Sequence, residues 1–246
     1  MIAGAYITQR RWAIVRPLKT LGESNVAETI KLTASDGHKF DAYVAQPAGK
    51  PRGGLVVIQE IFGVNQHMRK VADGFAADGY LCVAPALFDR VRPGIELGYG
   101  PADIPAGRDI RQKLGLDDVL KDLKAAAGTA GSAGRVGVVG YCWGGSLAFV
   151  SATRLGVQAS SGYYGGAIVP HKDERPTCPT ILHFGEFDKG IPLTDVEIIR
   201  KARPDVAIYI YPADHGFNCN ERASWEPVSA RIARERTLDL FRKHIG

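Results

Sequence analysis

The chain has 246 residues, of which 45% are hydrophobic, and its formal net charge is +5. This composition is typical of a globular protein with a sizeable core, and no stretch approaches the roughly 18 apolar residues of a membrane span. The basic residues are scattered and carry no interleaved aromatics, which disfavours nucleic acid as a partner. The N-terminal segment lacks the apolar stretch of a secretory signal, so we expect a cytoplasmic location.

The first half of the chain predicts a hairpin followed by a strand–helix–strand unit. Residues 1–25 lack clear periodicity and are expected to form a loosely attached lead-in. Two alternating segments, residues 28–34 and 39–47, predict a β-hairpin. The segments that follow predict a doubly buried strand, a helix and another strand, at residues 54–59, 65–78 and 80–87.

The second half alternates strands with helices. A segment rich in Gly and Pro, residues 89–106, precedes a helix predicted over 107–127. Further strands are predicted at 135–140, 159–165, 179–186 and 206–212, and further helices at 143–155, 192–202 and 227–243. Such alternation implies a mostly parallel sheet with helices on both faces. We therefore predict a single α/β domain over residues 26–246.

One of the four cysteines has the setting of a catalytic nucleophile. The cysteines form no CxxC pair and show no metal-ligand spacing with histidine, so no metal site is predicted. Cys142 lies in the motif Gly140-Tyr-Cys-Trp-Gly144, between a predicted strand and a predicted helix. This is a G-x-C-x-G form of the nucleophile elbow, and the helix N-terminus favours a thiolate. The alternative is a small buried thiol packed under the helix.

An acid and then a histidine follow the nucleophile along the chain, which is the order expected of an α/β-hydrolase. His215 follows the strand 206–212, at the carboxyl end where α/β active sites form, whereas His183 lies inside an apolar strand and is predicted to be a core residue. Asp188 has the matching position after the strand 179–186. Glu186 remains open as the alternative acid.

Glu60 is a carboxylate within an apolar segment, VVIQEIFGV at residues 56–64. An ionised side chain surrounded by apolar residues loses hydration and needs a specific partner. If the strand ends at Gln59, Glu60 is instead a solvated loop residue. The segment alone leaves both readings open.

Several of these motifs together resemble the dienelactone hydrolase (carboxymethylenebutenolidase) family. They are QEIFGVN, GYCWGG, GYYG, GEFD, HGF and ERTLDLF, in that order within residues 26–246. The resemblance implies an α/β-hydrolase fold and hydrolysis of small lactones or esters through a triad and an acyl-enzyme, without a cofactor. The implied triad is Cys142, His215 and Asp188.

The resemblance also implies roles for three further residues. Glu60 would hydrogen-bond the resting thiol and take its proton when substrate arrives. The backbone N–H groups of Ile61 and Trp143 would stabilise the oxyanion.

The sequence departs from the family at the substrate site. Members that act on dienelactone bind its carboxylate with two arginines, and Cys219 occupies one of those positions, four residues after the histidine. Arg108 and Arg111 lie near the other. Tyr163 and Phe217 are predicted beside Trp143 at the site, which favours neutral or bulkier substrates. The alternative is that Arg108, Arg111 or Arg222 replaces the missing anchor.

We expect a small lactone or ester as the partner, and a monomer or weak homo-oligomer. Two other functions remain open from the sequence. One is a non-catalytic scaffold that binds a small molecule, and the other is a thioester or amide hydrolase that uses the same triad.

Overall fold

A single mixed sheet carries the fold. The computed structural model describes residues 26–246, and the predicted lead-in, residues 1–25, lies outside them. Strands β1 to β8 span Ala27–Thr33, Lys39–Ala45, Gly54–Ile58, Leu81–Pro85, Val136–Tyr141, Ala159–Tyr163, Thr180–Gly185 and Ala207–Tyr211. Their order in the sheet is β1-β2-β4-β3-β5-β6-β7-β8. The β1–β2 and β2–β4 pairs are antiparallel and all others are parallel, which confirms the predicted hairpin and the mostly parallel sheet.

Six α-helices connect the strands or close the chain. Helices α1 to α6 span Gln66–Ala77, Asp103–Gln112, Leu116–Ala130, Trp143–Arg154, Leu193–Ala202 and Pro227–His244. Helix α1 begins as predicted, because the Asn65 side chain accepts a hydrogen bond from the backbone N–H of Met68 at 3.1 Å. Within residues 26–246, no helix combines the length and the apolar character needed to cross a membrane.

The single helix predicted over residues 107–127 is wrong. The structure has two helices there, α2 and α3, separated by residues 113–115. Gly115 is extended (φ −74°, ψ 140°) and starts α3 as its N-cap, so it ends the helical run. Helix α2 begins at Asp103, earlier than predicted. Pro105 does not prevent this start, because it lies in the first turn of the helix, where proline is tolerated.

Strand register brings the candidate residues to one edge of the sheet. Ile58 pairs with Gly140, so the chain leaves β3 and β5 side by side at that edge. Gly185 pairs with Tyr211, so the loops after β7 and β8 also leave together. Because the carboxyl ends of parallel strands share one edge, four loops converge there.

Helix α2 packs closely over the loop that follows β3. A Cβ at Gly107 would lie 2.0 Å from the carbonyl oxygen of Ile61, so only glycine allows this approach. Ile61, Phe62, Phe88 and Ile95 form a small buried apolar cluster beneath α2. The cluster fixes the segment before α2 against the loop that carries Glu60.

Candidate active site

Cys142 occupies a sharp turn between β5 and α4. Its backbone has φ 55° and ψ −117°, a conformation that costs a non-glycine residue roughly 1–3 kcal/mol. A Cβ at Gly140 would lie 1.9 Å from the carbonyl oxygen of Gly144, and a Cβ at Gly144 would lie 2.5 Å from that of Ile58. Both glycines are therefore required by close backbone approach. The predicted strand–turn–helix geometry is present.

A hydrogen-bonded chain joins Cys142, His215 and Asp188. The Nε2 atom of His215 lies 3.2 Å from Sγ of Cys142, and its Nδ1 atom lies 2.7 Å from Oδ2 of Asp188. The Asp188 side chain is 1% exposed, and its other oxygen accepts the backbone N–H of Gly190. Glu186 is exposed, and its side chain makes no hydrogen bond to His215. The geometry thus favours Asp188 over Glu186 as the group that orients the imidazole.

The surroundings of His215 favour its protonated form. Burial lowers its pKa, but attraction to Cys142 and the hydrogen bond that Nδ1 donates to Asp188 outweigh burial and raise the pKa from 6.5 to about 10. An imidazolium beside Sγ of Cys142 is a suitable partner for a thiolate when one forms.

The other three thiols lie in environments that keep them protonated. Burial raises the pKa of Cys82 and of Cys178 above the usual thiol value. Burial, and then the charge of Glu60, raises the pKa of Cys219 to about 11. None of these three lies at a strand–helix elbow.

Glu60 is buried, and its partners differ from the expected one. Its side chain is 1% exposed, which excludes the solvated reading. Oε2 accepts a hydrogen bond from the Tyr99 hydroxyl at 3.2 Å, and Oε1 lies 3.6 Å from Nη1 of Arg222. The implied hydrogen bond from the Cys142 thiol to Glu60 is absent, because the imidazole of His215 is the thiol's partner. Tyr99 was not predicted, since nothing in the irregular segment 89–106 distinguishes it.

A cavity of about 540 Å³ opens beside Cys142 and His215. Ile61, Trp143, Arg108 and Arg111 are among the residues that line it. The full lining is Ile61, Phe62, Ile104, Arg108, Arg111, Cys142, Trp143, Ser146, Gly166, Ala167, Asp188, Lys189, Gly190, Ile191, Asp214, His215 and Arg222. The backbone N–H groups of Ile61 and Trp143 donate to no acceptor within residues 26–246. These two donors are available to an oxyanion.

Three residues predicted at the substrate site lie elsewhere. Tyr163 is fully buried and its hydroxyl hydrogen-bonds Oγ1 of Thr237 on α6, because alternate strand side chains face opposite sides of the sheet. Phe217 is fully buried and packs on Tyr211. Cys219 is fully buried and does not line the cavity. The predictions for these three residues are therefore wrong.

His183 is a core residue, as predicted. It is fully buried in β7, and its ring nitrogens bond the hydroxyls of Tyr211 at 2.8 Å and Thr237 at 3.2 Å. Burial lowers its pKa to about 3, so the ring is neutral.

Arg222 reaches the cavity from the loop after β8. Its side chain is 18% exposed and lies 5.9 Å from the ring centres of Phe62 and Tyr99. The guanidinium makes no hydrogen bond to any residue in the described range 26–246, and its charge partner Glu60 is beyond hydrogen-bond distance. A largely buried cation with free donors is suited to an anionic ligand.

Comparisons with known proteins agree on one family. The sequence model of the dienelactone hydrolase family matches residues 40–245. A Pseudomonas putida protein named carboxymethylenebutenolidase is 33% identical over 230 residues, covering 88% of this chain and 96% of the relative. A Synechocystis protein named "Putative carboxymethylenebutenolidase" is 33% identical over 243 residues, covering 90% and 98%.

A solved structure extends the likeness to the fold. A Klebsiella pneumoniae protein described as "Putative Dienelactone Hydrolase" superposes with a TM-score of 0.78 at 30% identity, covering 89% of this chain and 99% of that one. The predicted α/β-hydrolase fold is confirmed.

Proposed function

Because this chain belongs to the dienelactone hydrolase family, we propose that it hydrolyses a small ester or lactone through an acyl-enzyme on Cys142. The reaction class, hydrolysis of an ester or lactone bond, follows from the family. The covalent mechanism rests on one observation, the hydrogen-bonded chain from Cys142 through His215 to Asp188 beside a cavity. The acyl-trapping experiment that closes the Discussion tests it.

In the proposed first half-reaction, the thiolate of Cys142 attacks the substrate carbonyl carbon while His215 holds the thiol proton. The carbonyl oxygen takes the electron pair and is stabilised by the free N–H groups of Ile61 and Trp143. When the tetrahedral intermediate collapses, the C–O bond breaks and the leaving alkoxide takes the proton from Nε2 of His215. The product is a thioester on Cys142.

In the second half-reaction, neutral His215 accepts a proton from water as that water attacks the thioester carbonyl. The C–S bond then breaks, the acid leaves and the thiolate is regenerated beside an imidazolium. Asp188 keeps Nδ1 oriented and stabilises the positive charge in both halves.

Glu60 is proposed to control the protonation of Cys142. Tyr99 and Arg222 are its partners in the structure, which leaves its carboxylate without a hydrogen bond at Oε1. When Arg222 turns to a bound substrate anion, Glu60 loses its charge partner and can take the thiol proton, which then passes to Nε2 of His215 for delivery to the leaving alkoxide. Substrate binding would thus activate the nucleophile.

Replacing Glu60 with glutamine keeps a hydrogen-bond acceptor for Tyr99 and removes the charge. We expect kcat to fall about 100-fold, the lower range for loss of a general base. The pH dependence of Cys142 alkylation by iodoacetamide is expected to shift, while Glu96→Gln, an exposed control, behaves as the parent protein. Unchanged alkylation together with unchanged turnover would leave Glu60 as a structural partner of Arg222.

The proposed substrate carries an anionic group. The sequence predicted a preference for neutral substrates because position 219 lacks an arginine, with relocation of the anchor as the alternative. The free donors of the largely buried Arg222 support relocation. Arg108, Arg111 and Lys189 add further positive charge around the cavity.

Replacing Arg222 with glutamine is expected to lower kcat/KM for an anionic ester about 10- to 150-fold, the range for one charge-assisted hydrogen-bonded pair. For a neutral ester of equal size the expected loss is below about threefold. Arg242→Gln, on the exposed face of α6, is the matched control. Equal losses for the two esters would contradict an anchoring role for Arg222. If a selective loss for the anionic ester appeared instead in Arg108→Gln or Arg111→Gln, that arginine would be the anchor.

A further inference from the structure

A second cavity, of about 280 Å³, adjoins the candidate active site. Four residues line both cavities: Arg111, Trp143, Ser146 and Ala167. Trp143 directly follows Cys142 in the chain, so the two cavities share the residue next to the candidate nucleophile. The mechanism proposed above makes no use of this space.

Seven of the eleven residues that line the second cavity are apolar, while polar atoms contribute about half of its exposed surface. Its side chains come from the link between α2 and α3, from α3 and from α4, and they include Leu114, Leu116, Val119, Leu147 and Val150. Leu114 and Leu116 flank the helix break at Gly115, so the break that separates α2 from α3 also builds this wall. Of these three segments only α4 also lines the main cavity, through Trp143 and Ser146.

The polar residues of the second cavity include no carboxylate. They are Arg111, Gln112, Ser146 and His171, and His171 uses Nδ1 to bond Glu174 at 2.9 Å. The Ser146 hydroxyl accepts the backbone N–H of Ala167 at 2.9 Å. An apolar group that enters therefore meets no carboxylate, and it displaces water from the apolar side chains of α3 and α4.

We propose that this second cavity is a subsite for an apolar arm of the ester substrate, namely an aromatic ring or a medium-length alkyl chain. The inference rests on the proposed function and names the substrate class that the site takes. A cavity of about 150 Å³ lined by Leu, Ile and Phe binds benzene, so this volume has room for one ring with a short chain, or for about six to eight carbons. The substrate then has an anionic group near Arg222 and an apolar arm behind Trp143.

The test measures kcat/KM for two series of esters in the full-length protein. In the first, p-nitrophenyl esters run from acetate to decanoate, which lengthens the acyl arm. In the second, acetates of primary alcohols run from methyl to decyl, which lengthens the alcohol arm. Each buried methylene is worth up to about fourfold, so we expect one series to gain two- to fourfold per carbon until about six to eight carbons.

Variants at Leu116 connect that gain to the second cavity. Leu116 is half-buried at the start of α3, and Leu116→Trp is expected to fill the cavity and flatten the chain-length series. Leu116→Ala is expected to deepen the cavity and move the optimum to longer chains. Ile198→Trp, at an exposed position on α5, is the control and should keep the parent ratio of long-chain to short-chain activity.

A gain in the acyl series or in the alcohol series that responds to Leu116 supports the subsite and identifies the arm. Two flat series in the parent protein would overturn it, as would an optimum that ignores both Leu116 variants. These results differ from a failure of the proposed function, which would appear as acetate-ester turnover that survives in Cys142→Ala.

Discussion

Cys142→Ala is expected to lower kcat/KM for p-nitrophenyl acetate by at least about 1,000-fold, because losing the nucleophile of a triad removes most of the catalytic effect. The fold should persist, since alanine keeps the Cβ that the turn at φ 55° already accommodates. Steady-state hydrolysis gives the rate, and circular dichroism checks the fold.

The matched control for this substitution is Cys178→Ala. Cys178 is a half-buried free thiol before β7, away from the strand–helix elbow. Its replacement should leave the rate near that of the parent protein. Retention of most activity in Cys142→Ala, with Cys178→Ala equally active, would refute the covalent mechanism on Cys142.

Asp188→Asn is expected to lower kcat by about 1,000- to 10,000-fold, as in other triads where the orienting carboxylate becomes an amide. The amide cannot stabilise the imidazolium, so the pKa of His215 should fall from about 10 toward its ordinary value of 6.5. NMR titration of His215 measures the shift, and ester hydrolysis measures the rate.

The sign of this pKa shift also predicts a pH dependence of stability. Because folding raises the pKa of His215, its proton stabilises the folded state fully below about pH 6.5, and the contribution fades as the pH rises through about 10. Asp188→Asn should shrink this alkaline loss. Glu186→Gln, the neighbouring exposed carboxylate, is the control and should change neither the rate nor the titration. A His215 titration that is identical in Asp188→Asn and the parent would contradict the orienting role.

The core of the site could be predicted because local signals and topology agree. Cys142 lies between Gly140 and Gly144, where an added Cβ would come within 1.9 and 2.5 Å of a backbone carbonyl oxygen, so only glycine fits at either position. Asp188 and His215 follow paired strands at the same sheet edge, so alternation of strands and helices was enough to bring them together. The proximity of Glu60 to this edge follows from the same register.

The residues that the sequence did not predict depend on contacts between distant loops. Tyr99 and Arg222 reach Glu60 from irregular segments, where no periodicity indicates direction. Tyr163 lies in a strand, as the sequence predicted, but its side chain faces α6 and not the cavity. The sequence did not reveal which side of the sheet it faces, because tertiary packing sets that. The break at Gly115 was visible as a glycine, yet a glycine alone does not distinguish a tolerated helical position from an N-cap.

The central claim is that an acyl group passes through Sγ of Cys142. The most direct test is intact-mass spectrometry. The protein is mixed with p-nitrophenyl acetate and quenched in acid within the first turnovers, and the mass of the intact chain is then measured. The account predicts an added mass of one acetyl group in the parent protein, located by peptide mapping to the peptide that contains Cys142 and absent from Cys142→Ala. An acetyl group that maps to another residue and turns over at the catalytic rate, or turnover in Cys142→Ala at the parent rate, would contradict it.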